Sequence, residues 1–200
     1  ALNLDSLWGV WNDTTLPDTI RLKAMEKICF GIIYSQPDSA FYFAQLQYDL
    51  AEATGNMEYM AAALNIQGGS SAIGGSHEQA VEYFRKTIKL YEEIGNKNGI
   101  ASSLNNIGNI YINQGNYEQA LEYYDKSLKI KEEIGDKAGI ANTNNYIGII
   151  CYQQSNYEQA LEYYKKCVTI KEQYETQKQS QYKIVNDISN PCIPPFIPIY

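Results

Sequence analysis

The amino-acid sequence predicts an all-α protein built from antiparallel helix hairpins that stack into a solenoid. The first observation is an internal repeat: residues 116–135 and 156–175 agree at thirteen of twenty positions, and residues 76–95 agree with 116–135 at eleven. The second is apolar spacing typical of amphipathic helices, which occurs in two stretches of each copy. One such hairpin cannot bury its apolar stripe alone, so neighbouring copies are expected to stack.

The elements follow in chain order as alternating A and B helices, one pair in each forty-residue copy. In the third copy, Ile100, Leu104 and Ile107 share one face of the A helix, and Ala120 and Tyr124 share one face of the B helix. The predicted helices span 18–34, 37–54, 57–73, 76–94, 97–113, 116–134, 137–153 and 156–178. Three domains are predicted: a lead segment (1–17), a repeat array (18–180) and an irregular tail (181–200). The repeats within the array span about 21–60, 61–100, 101–140 and 141–180.

Glycine and asparagine mark the predicted helix ends. Each of the first three B helices is followed by a glycine, namely Gly55, Gly95 and Gly135. Gly115 ends an A helix, and Asn116 is placed to cap the B helix that follows. In the preceding copy, Ser76 and Gln79 have the residue types and spacing of a capping box. These signals therefore set the boundaries of the hairpins.

Small residues inside the helices predict close contacts between helix axes. Gly68, Gly108 and Gly148 recur at one register position of the A helices, and alanines recur in the B helices. A glycine within a helix costs about 1 kcal/mol relative to alanine. Its recurrence therefore indicates a packing role.

The register of the copies resembles the tetratricopeptide repeat (TPR) family, in a longer form of about forty residues. The positions that match the signature of the family are Leu104, Ile107, Gly108, Tyr111, Ala120 and Tyr124. The fourth copy departs at Asn144 and Cys151. The resemblance covers roughly residues 21–180 and implies a right-handed superhelix of about four repeats. It also implies a non-catalytic module that binds a protein or peptide in a concave groove lined by the A helices.

By resemblance, the groove positions are uncharged and rich in asparagine. They are Ala62, Asn65, Gly69, Ser102, Asn105, Asn109, Ile112, Asn113, Asn142, Asn145, Ile149 and Tyr152. Asn side chains both donate and accept hydrogen bonds, which suits the backbone of an extended segment. The alternative is that Asn106 and Asn109, which match residues common in the family, only satisfy neighbouring backbone groups. Co-chaperone TPR domains grip a terminal carboxylate with Lys and Arg, but Asn65, Asn142 and Tyr146 stand at the matching positions.

A second resemblance concerns the head of the chain, residues 4–56. It is similar to the TPR input region of bacterial signalling proteins of Bacteroidetes type, which precedes a histidine kinase or nucleotide cyclase domain. This resemblance implies an alternative function, an extracytoplasmic sensory input region, with Ala1 near a signal cleavage site. Because the chain starts with Ala1 and not Met, we expect a processed product or a fragment. The compartment stays open, with an extracytoplasmic one slightly favoured.

Several classes of function are excluded by composition and motifs. A net charge of −7 offers no footprint for nucleic acid, and no apolar run is long enough to insert in a membrane. His77 is the only histidine, so a two-His zinc site is excluded, and it stands where other copies carry Tyr117 and Tyr157. The glycine-rich stretch 68–76 lacks the lysine of a phosphate loop and is interpreted as a weakened A helix. We therefore expect no catalytic residue, metal or cofactor.

The cysteines and the tail complete the sequence. Cys29, Cys151, Cys167 and Cys192 lack CxxC spacing and predict no disulfide framework. The tail contains four prolines between residues 191 and 198, which forbid a helix and favour extended structure. Three explanations of the tail are open: it covers the last hairpin, it docks in a groove, or it reflects truncation. We favour truncation or loose packing. Self-association through the array end or this tail is a further expectation.

Overall fold

A computed structural model of the chain describes residues 3–189, and every regular element among them is an α-helix. The helices are α1 Leu4–Asn12, α2 Asp18–Ile32, α3 Pro37–Ala53, α4 Met57–Ile73, α5 His77–Glu93, α6 Lys97–Asn113, α7 Tyr117–Ile134, α8 Lys137–Gln153 and α9 Tyr157–Ser189. The A helices are α2, α4, α6 and α8, and each is followed by a B helix. The predicted all-α fold of helix hairpins is confirmed for the described residues.

The helix bounds differ from prediction at both ends of the chain. The lead segment forms α1, which lies outside the repeat and was not predicted. At the other end α9 continues to Ser189, so residues 181–189 are helical and not irregular as expected. The physical reason is that residues 157–189 contain neither a proline nor a glycine of the kind that follows the earlier helices, so nothing in the sequence forces α9 to stop sooner. The rest of the predicted tail, residues 190–200, lies outside the described residues.

The chain divides into two compact units, residues 1–135 and residues 136–200. In the first unit, helices α1 to α7 pack each against its neighbour in the chain. Adjacent A helices also touch, since α2 contacts α4 and α4 contacts α6. In the second unit, α8 and α9 form one hairpin.

The start of the first unit is covered by α1. Trp8 meets Phe43 of α3 edge to face, with ring centroids 4.8 Å apart. Arg21 of α2 donates from Nε to the Trp11 carbonyl at 3.0 Å, and its guanidinium stacks over the Trp11 ring. Beneath α1 lies an apolar cluster that includes the fully buried Met25 and Ile28. These contacts give α1 the role of a cap on the first hairpin.

Three glycines bring the A helices α4, α6 and α8 each against an aromatic ring of the following B helix. A Cβ built on Gly68 would lie 2.9 Å from Phe84 Cε1, one on Gly108 2.7 Å from Tyr124 Cε1, and one on Gly148 2.8 Å from Tyr164 Cε1. Ordinary contacts of this kind begin near 3.4 Å. The predicted packing role of these glycines is therefore confirmed.

The turns between helices use left-handed residues. Gly55, Gly75, Gly95, Gly115 and Gly135 all have φ between 68° and 83°, which favours glycine because no Cβ is present. Ser155 adopts φ 62° at the equivalent turn of the last hairpin.

The side-chain caps agree with prediction at one helix and not at another. Asn116 Oδ1 accepts from the Gln119 backbone N–H at 3.4 Å, as expected for a cap of α7. Ser76 makes no such hydrogen bond, so the predicted capping box is wrong. The first-turn N–H groups of α5 are therefore left without a side-chain cap.

Candidate functional site

A cavity of about 390 Å³ lies between the A helices of the first unit. It is formed by α2, α4 and α6, with Ile33 and Tyr34 following α2 at one end and Phe84 contributed by α5. Its lining residues are Phe30, Ile33, Tyr34, Asn65, Ile66, Gly69, Ala72, Ile73, Phe84, Asn106, Asn109, Ile110 and Asn113. We refer to it as the A-helix cavity.

Four asparagines supply the polar part of the A-helix cavity. Asn106 donates from Nδ2 to Asn65 Oδ1 at 3.4 Å, which links α6 to α4. The Tyr124 hydroxyl donates to Asn109 Oδ1 at 2.6 Å, so the core of the hairpin fixes the orientation of this amide. Asn113 is exposed at the end of α6. The amides therefore follow one another along the cavity, and protein partners orient some of them.

Large apolar side chains form the rim. Phe30 is 53% exposed, Tyr34 86% and Ile73 43%, although residues of these types are usually covered. Gly69 lies beside them at a register position that carries Asn109 and Ile149 in the next two copies. A Cβ on Gly69 would lie 3.1 Å from Ile33 Cδ1. A side chain at this position would therefore press on Ile33, and its absence lets Ile33 pack closely against α4.

No lining residue of the A-helix cavity, all of them within the described part of the chain, carries a charge. The cavity therefore offers hydrogen bonds and apolar contact without an ionic attraction. This agrees with the uncharged surface predicted for the A helices, and the lining contains none of the Lys or Arg side chains that would grip a carboxylate.

A second cavity, of about 430 Å³, lies between α3, α4 and α5 and differs in character. Its lining includes Lys86, Lys89 and Glu93. At its base Gln67, which is 1% exposed, donates from Nε2 to Gln45 Oε1 at 2.8 Å. Because it carries charges of both signs, this cavity does not match the predicted groove.

The structure brings only some of the predicted groove residues of the first unit together. Asn65, Asn109 and Asn113 line the A-helix cavity, as does Gly69. Half-buried Ala62 and Ile112 and exposed Ser102 do not line it. Asn105 is buried, so its expected place on an open surface is wrong. The reason is that α6 is covered over a broad face, with residues 103–105 all buried.

In the second unit the predicted groove residues lie on α8. Asn142 and Tyr152 are exposed, whereas Asn145 and Ile149 are half-buried. The Tyr152 ring meets the Tyr157 ring edge to face, with centroids 5.4 Å apart. Their role in binding stays a prediction.

Nine residues of the A-helix cavity were not among the predicted groove positions, namely Phe30, Ile33, Tyr34, Ile66, Ala72, Ile73, Phe84, Asn106 and Ile110. Phe30, Ile33 and Tyr34 belong to the first copy, where the repeat is most degenerate and its register least visible. Asn106 was considered only as a partner for neighbouring backbone, and its side chain instead bonds to Asn65. The sequence signal that could have found these positions is the apolar character of the end of α2, when that end is aligned with the end of the next A helix, α4.

The titratable groups suggest no reactive centre among the described residues. His77 begins α5 and is half-buried, in agreement with its interpretation as a substituted aromatic. Burial raises the pKa of the Cys29 thiol to about 12, and burial also raises the pKa of Cys151. Cys29, Cys151 and Cys167 are free and buried. Within the described residues no group of three or more His, Cys, Asp or Glu side chains is arranged to hold a metal ion.

The comparison with protein families decides the affiliation of this fold. The profile of the tetratricopeptide repeat matches residues 59–133 and again residues 99–173, which together cover more than half of the chain. The chain belongs to the tetratricopeptide repeat family. The predicted resemblance is thereby confirmed, and the helix hairpins are those of a TPR solenoid. The signalling-type head stays a prediction.

Solved structures share the TPR fold at low sequence identity. BtubC from P. vanneervenii is 15% identical, with a TM-score of 0.69 over 86% of this chain and 71% of that one. A signal transduction ATPase with a TPR sensor, from Pyrococcus horikoshii, is 17% identical, with a TM-score of 0.73 over 88% of this chain and 27% of that one. The apo form of RapI is 20% identical, with a TM-score of 0.72 over 93% of this chain and 71% of that one. No curated protein sequence matches the chain.

At these identities the likeness shows the fold alone. TPR arrays as a family generally serve as non-catalytic scaffolds for interactions between proteins. Among residues 3–189, no helix is both long and apolar enough to cross a membrane.

Proposed function

We propose that this TPR protein binds an uncharged, extended peptide segment of a partner protein in the A-helix cavity and catalyses no reaction itself. The observation that carries the proposal is the joint lining of four asparagines and an exposed apolar rim, without a charged side chain. Asn142, Asn145, Ile149 and Tyr152 of α8 are proposed to extend the same binding function in the second unit.

The chemistry of the cavity matches an extended backbone. Each asparagine amide can donate to a peptide carbonyl and accept from a peptide N–H, and an extended segment leaves both groups unpaired. Phe30, Tyr34 and Ile73 are exposed and lose apolar surface to water when a partner side chain covers them. Because the cavity lacks charge, affinity is expected to change little between low and physiological salt.

The test uses two matched pairs of variants and a displayed library of short uncharged peptides selected on the full chain. Asn113→Ala is paired with Asn98→Ala, since both are exposed asparagines on α6 and only Asn113 lines the cavity. Tyr34→Ala is paired with Tyr42→Ala, since Tyr42 is 60% exposed on α3 and does not line the cavity.

The selected peptide should bind the Asn113 variant more weakly by about two- to tenfold, which corresponds to one hydrogen bond. Loss of the Tyr34 ring should weaken binding by about fivefold or more. The Asn98 and Tyr42 variants should bind as wild type, and far-UV circular dichroism should show equal helicity in all four. Equal effects within each pair, or selection of no peptide at all, would reject the cavity as the binding site.

A sensory input function is the second candidate, carried by the resemblance of the head segment. It differs from the first in requiring that a bound ligand change the state of an attached output domain. Fusion of the chain to a histidine kinase output domain, followed by a kinase assay with and without the selected peptide, tests it. An output that ignores the peptide would remove this candidate.

A further inference from the structure

We propose that the A-helix cavity of one chain receives residues 190–200 of a second copy of this chain. This inference rests on the proposed peptide-binding function and names the occupant. It makes the protein its own ligand when no other partner is present. Three features support it: the composition of the segment, the hydrogen-bonding groups that it offers to the cavity, and the length of α9.

The segment NPCIPPFIPIY has the composition that the cavity accepts. None of its side chains is charged, although charged residues make up 20% of the whole chain. Its four prolines exclude a helix and favour extended geometry at low cost in entropy. Phe196 and Ile197 are large apolar side chains, which gain free energy when a partner surface removes them from water. An uncharged, extended and apolar segment is the class of ligand already inferred for the cavity.

The hydrogen-bonding groups of the segment also suit amide partners. Proline has a carbonyl but no N–H, so a proline-rich segment offers more acceptors than donors. Asn106, Asn109 and Asn113 carry amide N–H donors along the cavity. Apolar side chains between the prolines would then meet Phe30 and Tyr34 at the exposed rim.

The length of α9 carries the segment away from its own hairpin. Helix α8 has 17 residues and α9 has 33, and the two pack as an antiparallel hairpin. At about 1.5 Å per residue, the end of α9 lies roughly 24 Å beyond the part that α8 accompanies. The eleven-residue segment spans about 34 Å when extended, so most of its reach would be used in returning to its own hairpin.

Disulfide trapping tests the proposal on the full chain, because Cys192 lies inside the proposed ligand. A chain carrying Tyr34→Cys and Cys192→Ser is mixed with a differently tagged wild-type chain and oxidised with copper–phenanthroline in air. In this mixture a bond from position 34 to Cys192 can form only between two copies. The other three cysteines are buried and free, and the raised pKa of Cys29 keeps its thiol protonated.

The control replaces Tyr34→Cys by Tyr42→Cys, which places an exposed thiol on α3 and away from the cavity. Asn113→Cys provides a second position inside the cavity that leaves the apolar rim intact. We expect a mixed dimer, cleaved by reducing agent, with Tyr34→Cys and with Asn113→Cys, at least about fivefold more abundant than with Tyr42→Cys. A free acetylated and amidated peptide of residues 190–200 with Cys192→Ser should suppress it, and the same peptide with Phe196→Ala should suppress it about fivefold less well.

Equal trapping at all three positions, or trapping at none, would overturn the proposal. In a chain that carries Tyr34→Cys and keeps Cys192, a link confined to the monomer would overturn the assignment to a second copy. If trapping fails while library peptides still distinguish the Asn113 and Tyr34 variants from their controls, the peptide-binding function stands and only this occupant is rejected. If both experiments fail, the cavity is not a peptide site.

Discussion

Replacement of Gly108 by alanine tests how closely the A and B helices of the third hairpin fit. A methyl group at this position would lie 2.7 Å from Tyr124 Cε1 and 2.9 Å from Cζ. The closer distance falls about 0.7 Å short of ordinary contact. Tyr124 has no exposed surface, and its hydroxyl is held by Asn109 at 2.6 Å. The ring therefore cannot move aside without giving up a hydrogen bond.

The expected loss of stability is about 2 kcal/mol. Overpacking of a closed core costs about 1–3 kcal/mol, and a lost hydrogen bond costs about 1 kcal/mol more. Against these, alanine is a better helix former than glycine by about 1 kcal/mol. With a urea slope of about 2 kcal/mol per molar, the unfolding midpoint should fall by about 1 M.

Gly9→Ala serves as the matched control for helix propensity. Gly9 lies inside α1, and a Cβ there would meet nothing within 4 Å. This variant should therefore gain up to about 1 kcal/mol in free energy of unfolding. Equilibrium urea denaturation followed at 222 nm measures both variants and the wild type under one set of conditions.

A second variant isolates the steric cause. When Tyr124 is replaced by leucine, the ring atoms that oppose the new methyl group are absent, so Gly108→Ala should become nearly neutral in that background. A midpoint for Gly108→Ala that equals or exceeds the wild-type value would refute the steric explanation. The same would follow if its effect were unchanged in the Tyr124→Leu background.

Two further predictions concern a strained turn and a half-buried acid. Ser155→Gly should raise the free energy of unfolding by about 1 kcal/mol, because Ser155 has φ 62° where the other turns use glycine; thermal unfolding that shows no gain would remove strain as the explanation. Burial, and secondarily the charge of Glu58, raises the pKa of Glu26 above its ordinary 4.5. The folded state then holds this proton more tightly than the unfolded state, so stability falls as the pH rises from 4.5 through the raised pKa. Glu26→Gln should therefore be more stable than wild type at pH 7 and lose that advantage at pH 4; a difference that does not depend on pH would contradict this.

Much of the fold was predictable because the same sequence pattern occurs in several copies, so each copy supports the helix assignment of the others. Helices α4, α6 and α8 begin and end at the predicted residues, and each begins directly after an Asn or Asp whose side chain caps it. Helix α1 was missed because it occurs once and belongs to no repeat. The continuation of α9 was missed because residues 181–189 lie beyond the last copy of the repeat, where no register supports a helix prediction.

The candidate site was less predictable than the fold. Register assigns a residue to a helix face, but neighbouring helices decide whether that face is open. Asn105 is a polar residue of the type expected in a groove, yet it is buried. Phe30 and Tyr34 are residues of the type expected in a core, yet they are exposed. The exposure of Phe30 and Tyr34 arises in the degenerate first copy, whose side chains depart from those of the later copies that define the pattern.

The contact between a glycine and an aromatic ring has a consequence for how such a gene can change its length. Gly68, Gly108 and Gly148 each meet a ring that follows sixteen positions later, within the same hairpin. Both halves of the contact are therefore encoded in one short stretch of DNA. Unequal recombination that adds or removes a forty-residue unit carries a finished contact with it and leaves the others intact. Copy number can then vary while each hairpin keeps its internal fit.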